Sequence, residues 1–204
     1  MLKKFAEKYI ITLRIPSVSR ISLSNLLLKQ FKRLRPGVVL DMGSGNPLYQ
    51  KNIPNTKYLR LDIDEKTNPD ICCDAHEIKW ESNYFDTVIS TELLEHLYEP
   101  QKAINEIHRV LKKDGVCIAS TRFICHYHKS PLDYYRYTQD SLRYLFRDFK
   151  RVEIYPHGSR IQAVWQLLNL GVIKIVLNIF NPLIARINFK NTRTPCGFVV
   201  YAVK

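Results

Sequence analysis

The sequence predicts an α/β domain built on a doubly wound, mainly parallel sheet, and three observations carry that prediction. Residues 38–47 read VVLDMGSGNP: a short apolar run, an acid, then two glycines one residue apart. A parallel strand covered on both faces reads as a continuous apolar run, and glycine lets the backbone pass close to a ligand at the strand's carboxyl end. Further short runs of this kind return at the spacing of β-α units, at 58–61, 71–74, 85–90, 116–120 and 152–155. The run FVVYAV at 198–203 then supplies a seventh strand. A chain of 204 residues is long enough for one domain with a full core and an appendage.

Taken in order, residues 1–36 show no strand pattern but place Phe5, Tyr9, Ile10, Leu13, Leu23, Leu26, Leu27, Phe31 and Leu34 at helical spacing. Two short helices separated near Pro16 are expected. Nine lysines and arginines make this segment basic, which suits either a membrane-surface helix or a covering helix with a solvated face. Pro36-Gly37 punctuates the chain before the first strand. After the glycine turn, Asn46-Pro47-Leu48-Tyr49 leaves only a short connection to the second strand. Asp86, at the entry of the fourth strand, is expected to orient backbone. Ala103, Ile104, Ile107, Val110 and Leu111 form an amphipathic helix that Lys112, Lys113 and Gly115 should end. Thr138 should cap a helix beginning TQDSLRYLF.

The glycine pair is a weak signal alone, because the dinucleotide fingerprint needs a third glycine that is absent here. Asp41-x-Gly43-x-Gly45, Asp62 at the end of the second strand, Asp74-Ala75, the strand FDTVIS and the following Leu93–Leu97 segment LLEHL say more together. This combination resembles the class I S-adenosylmethionine-dependent methyltransferases, and most of all their small type 11 branch. The resemblance covers roughly residues 37–155 plus the last strand, and it implies a seven-stranded Rossmann-like methyltransferase sheet. It further implies that Asp41, Gly43, Gly45, Asp62, Ile63, Asp74, Ala75, Ser90 and Thr91 hold S-adenosylmethionine. Asp62 would accept from the two ribose hydroxyls, with Asp64 as the alternate, and Asp74 would accept from the adenine amino group. Tyr49 would either contact the cofactor or only pack, and His96 looks architectural. No metal is expected, since the five cysteines form no C-x-x-C pair and have no histidine spacing that would hold zinc.

The loop at 121–137, TRFICHYHKSPLDYYRY, is the densest polar and aromatic cluster in the chain and leaves the carboxyl end of a central strand. His126 and His128 are candidates to take a proton from the methyl acceptor. Asp133, Tyr134 and Arg136 are candidates to position it, Arg136 by bidentate contact. They match an Asp-aromatic-aromatic-Arg-aromatic-Thr stretch common in the resembling branch. The competing reading is that Asp133 and Arg136 pin the loop to the scaffold.

A hairpin between the last two strands needs about 2–5 residues, yet 157–197 intervene. Within them 161–187 is almost entirely apolar. A crossing would need about 20 apolar residues and would leave strand seven on the wrong side of the bilayer from its own sheet. Two helices, broken at 169–171 or at Asn181-Pro182, are expected instead. The expected organisation is therefore a basic helical segment 1–36, a cofactor-binding core 37–156, an apolar insertion 157–197 and the last strand 198–204. The insertion would serve as a lid, a contact with an anionic membrane surface, or a homodimer contact. A net charge of +12 favours an anionic partner. Nucleic acid fits that charge but not its concentration at the N-terminus, and no RNA or DNA module accompanies the fold. An odd cysteine count without a framework and no recognisable export signal place the protein in the cytoplasm, with peripheral attachment at the inner face of the membrane as the extended reading.

The expected activity is methyl transfer from S-adenosylmethionine to an oxygen or nitrogen of a small polar acceptor, a sugar or a lipid-linked glycan precursor. The rivals are a non-catalytic relative acting as a membrane- or partner-docking subunit, and an RNA methyltransferase. A nicotinamide dehydrogenase is disfavoured by the missing third glycine.

Overall fold

The computed structural model describes residues 15–127, 130–168, 177–187 and 193–204. The expected helix around Phe5–Leu13 and the expected break at 169–171 lie outside the described residues. Seven strands make one sheet: β1 (Val38–Met42), β2 (Lys57–Asp62), β3 (Ile71–Cys72), β4 (Phe85–Thr91), β5 (Leu111–Arg122), β6 (Arg151–His157) and β7 (Gly197–Val203). Their order is β3-β2-β1-β4-β5-β7-β6. Only β7 runs antiparallel to its neighbours, so the carboxyl ends of β1 to β6 share one edge of the sheet. The chain reverses its winding between β1 and β4, where open α/β sheets bind their ligands.

Alternation along the strands divides the core. Leu40, Met42, Val88, Ala119 and Val200 join one cluster, which α2 (Pro100–Val110) covers with Ala103, Ile104 and Ile107, and α3 (Gln139–Leu145) with Leu142 and Leu145. Val39, Ile89, Ile118, Val199 and Tyr201 face the other way and pack against Leu23, Leu27 and Phe31 of α1 (Val18–Phe31). Each fully buried aliphatic or aromatic side chain here contributes about 1.5–3 kcal/mol of transfer free energy. The fold therefore rests on strands whose both faces are apolar.

The ends of the elements follow local chemistry, with one departure from expectation. Ser17 caps α1 by accepting from the Arg20 N–H at 3.2 Å. Asp86 accepts from the Val38 N–H at 2.8 Å and receives Lys112 Nζ, which ties the entries of β1, β4 and β5 together. Gly115 does not end α2. The helix stops at Val110, and Leu111 is already extended and paired with Phe85. Lys204 Nζ donates to the carbonyls of Arg109 and Leu111, satisfying part of the helix end that a glycine turn would otherwise serve. The left-handed position falls on Asp114 instead.

Thr138 caps α3 in a reciprocal box with Ser141, each side chain accepting from the other's backbone N–H. Replacing Thr138 with Ala should cost about 1 kcal/mol. Urea unfolding at neutral pH would show this as a lower midpoint at unchanged slope; an unmoved midpoint would mean that α3 is held by packing alone.

Between β6 and β7 the chain forms α4 (Arg160–Leu167), a 3₁₀ turn at Asn178–Phe180 and the short helix α5 (Asn181–Ile184). Asn181 Nδ2 donates to the Pro16 carbonyl and its Oδ1 accepts from the Trp165 indole, so one amide ties α5 to α4 and to the approach to α1. Gln162 Nε2 donates to the carbonyls of Ala185 and Ile187. The inserted helices thus pack on α1. Among the described residues no helix is long and apolar enough to cross a membrane.

Candidate active site

The carboxyl edge of β1 and β2 is shaped by two glycines. Gly43 has φ +64° and Gly45 φ +42°, conformations that favour glycine. A Cβ on Gly43 would meet Leu93 Cδ1 at 2.8 Å, whereas one on Gly45 would meet nothing within 4 Å. The turn is therefore packed below and open above. Asp62 Oδ2 accepts from the Gly45 N–H at 3.0 Å, and Oδ1 accepts from the Asp64 N–H at 3.0 Å. Each oxygen keeps a further lone pair for a ligand hydroxyl. Ile63 beside it is 68% exposed, an apolar side chain on the open side of the turn.

Asp41 lies one layer deeper. It is buried and accepts the Tyr58 hydroxyl at 2.6 Å. Burial pushes its carboxyl up to about 6, against the opposing hydrogen bond from Tyr58. A carboxyl whose pKa is raised on folding binds its proton more tightly in the native state, so stability is lost as pH rises from about 4 to 6. Asp41→Asn, which keeps an acceptor for Tyr58, should remove that loss and be more stable than the parent at pH 7 by up to about 3 kcal/mol. Urea unfolding at pH 5 and pH 7 would test it, and parallel pH slopes in both proteins would refute it.

Asp74 is engaged on one side. Its Oδ1 accepts from the His76 N–H at 2.8 Å and meets His76 Nδ1 at 2.5 Å. Burial opposes its ionisation, but the His76 hydrogen bonds outweigh that and hold the carboxyl below the usual range. Only Oδ2 is left for a base. Ala75 beside it is buried, and His76 stacks on Tyr98 with ring centres 4.2 Å apart. Ser90 and Thr91 end β4, where Ser90 pairs with Met42 just before the glycine turn. The hydroxyls of Ser44 and Ser90 are buried without a hydrogen-bond partner among the described residues. Tyr49 instead packs on α1, its hydroxyl 2.8 Å from Ser24 Oγ.

Over β4 and β5 the sequence leaves two readings of Asp133 and Arg136 open, a grip on the acceptor and a pin on the loop. Arg136 grips Asp133 with both terminal guanidinium nitrogens and also donates to the carbonyls of Tyr135 and His126. The geometry is that of a loop pin, because the side chains proposed to hold an acceptor hold each other. His126 is exposed, and His128 lies outside the described residues. Tyr134 is exposed and belongs to a chain of rings, Tyr98, Tyr134 and Tyr135, with successive centres 6.3–6.4 Å apart. His96 ties the same loop down through Nδ1 and the Leu132 carbonyl at 2.8 Å.

Sequence reading did not single out the polar cluster beneath this loop. Arg122 Nε donates to Glu92 Oε2 at 2.7 Å and lies 3.4 Å from Glu95 Oε1. Glu95 is fully buried and accepts from Thr121 Oγ1 at 2.9 Å. Burial, with Glu92 nearby, pushes its carboxyl up. The available signal was two acids just after β4 and an arginine ending the neighbouring strand.

These features fit S-adenosylmethionine: an open glycine cradle, a ribose-type acid beside it, an exposed apolar side chain for the base, and unpartnered serine hydroxyls at the strand ends. The family described as Methyltransferase domain, type 11, matches residues 40–119, which hold the glycine turn, Asp62, Asp74 and the whole of β4. Residues 40–119 are thus similar to a methyltransferase domain. A methyltransferase described as S-adenosylmethionine-dependent, from Archaeoglobus fulgidus, superimposes at TM-score 0.61 and 17% identity, covering 96% of this chain and 100% of that one. A chain from the Haloferax volcanii complex of the Trm112 methyltransferase activator gives 0.62 and 15%, covering 98% and 94%. Phosphoethanolamine N-methyltransferase 2 of Haemonchus contortus, in complex with S-adenosylmethionine, gives 0.61 and 17%, but this chain spans only 56% of it. At these identities the likeness shows the fold of the methyltransferase. No curated protein matches it by sequence.

Proposed function

We propose that the protein transfers the methyl group of S-adenosylmethionine to an oxygen or nitrogen of a small polar acceptor, a sugar or a lipid-linked glycan precursor. The observation that carries the acceptor class is the row of exposed rings at Tyr98, Tyr134 and Tyr135, which gives flat apolar surface for a sugar face beside polar groups. Bound cofactor supplies an electrophilic methyl group already activated by a sulfonium. This chain's residues then have mainly to hold and align. The glycine turn, Asp62 and Ile63 would bind the nucleoside, with Asp74 and Ala75 at the base edge and Ser90 and Thr91 toward the methyl-bearing end. Tyr134 and the loop pinned by Asp133 and Arg136 would shape the acceptor side. His126 and His128 are the proposed groups to receive the acceptor's proton.

Peripheral attachment to an anionic membrane surface belongs to the same proposal. Val164, Ile179, Phe180 and Leu183 are exposed apolar side chains on the insertion, beside a strongly basic chain. All five cysteines are free thiols, which supports a cytoplasmic setting. Co-sedimentation with anionic liposomes at low salt is the expected result. A protein left in the supernatant, or one that sediments as a dimer instead, would remove the membrane from this reading.

A second reading, a docking subunit without catalysis, is favoured by the turn at Asn46-Pro47, which leads into a three-residue 3₁₀ helix instead of a longer helix aimed at the cofactor. Incubation with methyl-labelled S-adenosylmethionine and a panel of sugars, nucleotide sugars and lipid-linked glycans separates the two. Label in an acceptor supports transfer; cofactor binding without label in any acceptor supports docking.

A further inference from the structure

A second site lies away from the glycine turn, in a cleft of about 300 Å³ where α1, the end of β6 and the turn after α5 meet. That volume stands at the small end of ligand cavities, enough for a phosphate or diphosphate group. Ser22, Asn25 and Lys29 line it from α1, His157 and Gly158 from β6 and its turn, and Arg186 from beyond α5. Among the described residues no lining side chain is acidic. Lys29 and Arg186 have no hydrogen-bond or ion-pair partner among the described residues, unlike Arg33 further along α1, which pairs with Glu153. Glu153 is the only carboxylate on β6, and Arg33 and Arg151 already neutralise it.

A second, independent feature points to a ligand. His157 is 4% exposed and neither ring nitrogen has a hydrogen-bond partner among the described residues. Burying such a group without a partner is costly. Burial also pushes the imidazole down to about 4, so at neutral pH it is uncharged and offers one N–H donor and one acceptor. A cleft with two unpaired cations, a hydroxyl, an amide and one unsatisfied imidazole is the donor set a phosphate oxygen cluster needs.

We propose that this cleft binds a phosphate or diphosphate group through Lys29 and Arg186, with Ser22, Asn25 and His157 completing the shell. The group would come from a lipid headgroup or from a soluble phosphorylated compound, and it would bridge α1 to the inserted helices. Because Asn181 ties α5 to α4 and to Pro16 just before α1, and both helices pack on α1, occupancy would also tighten the insertion onto the sheet.

The test is calorimetric titration of the full chain with inorganic diphosphate at low ionic strength, with S-adenosylhomocysteine titrated separately. Saturable diphosphate binding at one site is expected, weakened about tenfold in each of Lys29→Ala and Arg186→Ala, with S-adenosylhomocysteine affinity unchanged. Both side chains are exposed, so neither variant should fail to fold. Lys66→Ala removes a charge near the opposite edge of the sheet; an equal loss there would reduce the effect to net charge and overturn the site. So would absence of diphosphate binding in a protein that binds S-adenosylhomocysteine. Farnesyl diphosphate binding tighter than inorganic diphosphate would assign the group to a lipid, and equal binding to a soluble phosphate. The proposal stands or falls apart from methyl transfer, which the S-adenosylhomocysteine arm reports on its own.

Discussion

Asp62→Ala should lower the affinity for S-adenosylhomocysteine by about 100-fold, the loss of two charge-assisted hydrogen bonds at about 1.5 kcal/mol each. Two contributions act together. The carboxylate would no longer meet the ribose hydroxyls, and the Gly45 and Asp64 N–H groups would lose their acceptor, so the turn would relax before any ligand arrived. Asp62→Asn separates them. An amide keeps one acceptor oxygen but presents an NH₂ group to the other backbone donor, so it should bind more weakly than the parent and more tightly than the alanine variant. Equal affinity in all three proteins would remove Asp62 from the cofactor site. Unfolding midpoints measured without ligand should shift far less than binding, because Asp62 sits at the open side of the turn.

The sheet was legible because its signal is local. Val39–Leu40, Val88–Ile89 and Val199–Val200 are buried on both faces, and a strand of that kind announces itself as an unbroken apolar run. The glycine turn was legible for a similar reason, since Gly43 and Gly45 adopt backbone conformations that few other residues tolerate. What was hidden depends on residues far apart in sequence. The end of α2 is satisfied by Lys204, so the pattern Lys112, Lys113, Gly115 pointed to a cap the fold does not use. Arg136 and Asp133 are three residues apart and both polar, a spacing equally suited to gripping a substrate or each other. Only the folded loop, held by His96 and the Glu95 carbonyl, aligns them for the second. The cleft at Lys29 and Arg186 joins two segments with no shared motif, and no periodicity could have paired them.

Arg122→Ala should be the most destabilising single change at the carboxyl edge, by about 3–5 kcal/mol at pH 8. Arg122 is the cation between two carboxylates, 2.7 Å from Glu92 and 3.4 Å from Glu95, and Glu95 has no contact with water. Removing the guanidinium takes the cation away from both carboxylates, and Glu95 then stays buried only by holding a proton, which costs more as pH rises. The direction of the pH effect follows. Burial and Glu92 already raise the Glu95 pKa, so its folded form favours the proton, and loss of Arg122 raises it further. A group raised on folding contributes its penalty above its folded pKa and loses it as pH falls, so the variant should regain most of its stability toward pH 5. Glu95→Gln in the same background should do the same at pH 8, because a neutral amide still accepts from Thr121 and needs no cation. The coupling energy from this double-mutant cycle, read from urea unfolding at pH 5 and pH 8, measures the charge term directly. A penalty equal at both pH values, and unrelieved by Glu95→Gln, would mean that Arg122 acts through packing of its aliphatic stem, and the cluster would then be a filler beneath the loop.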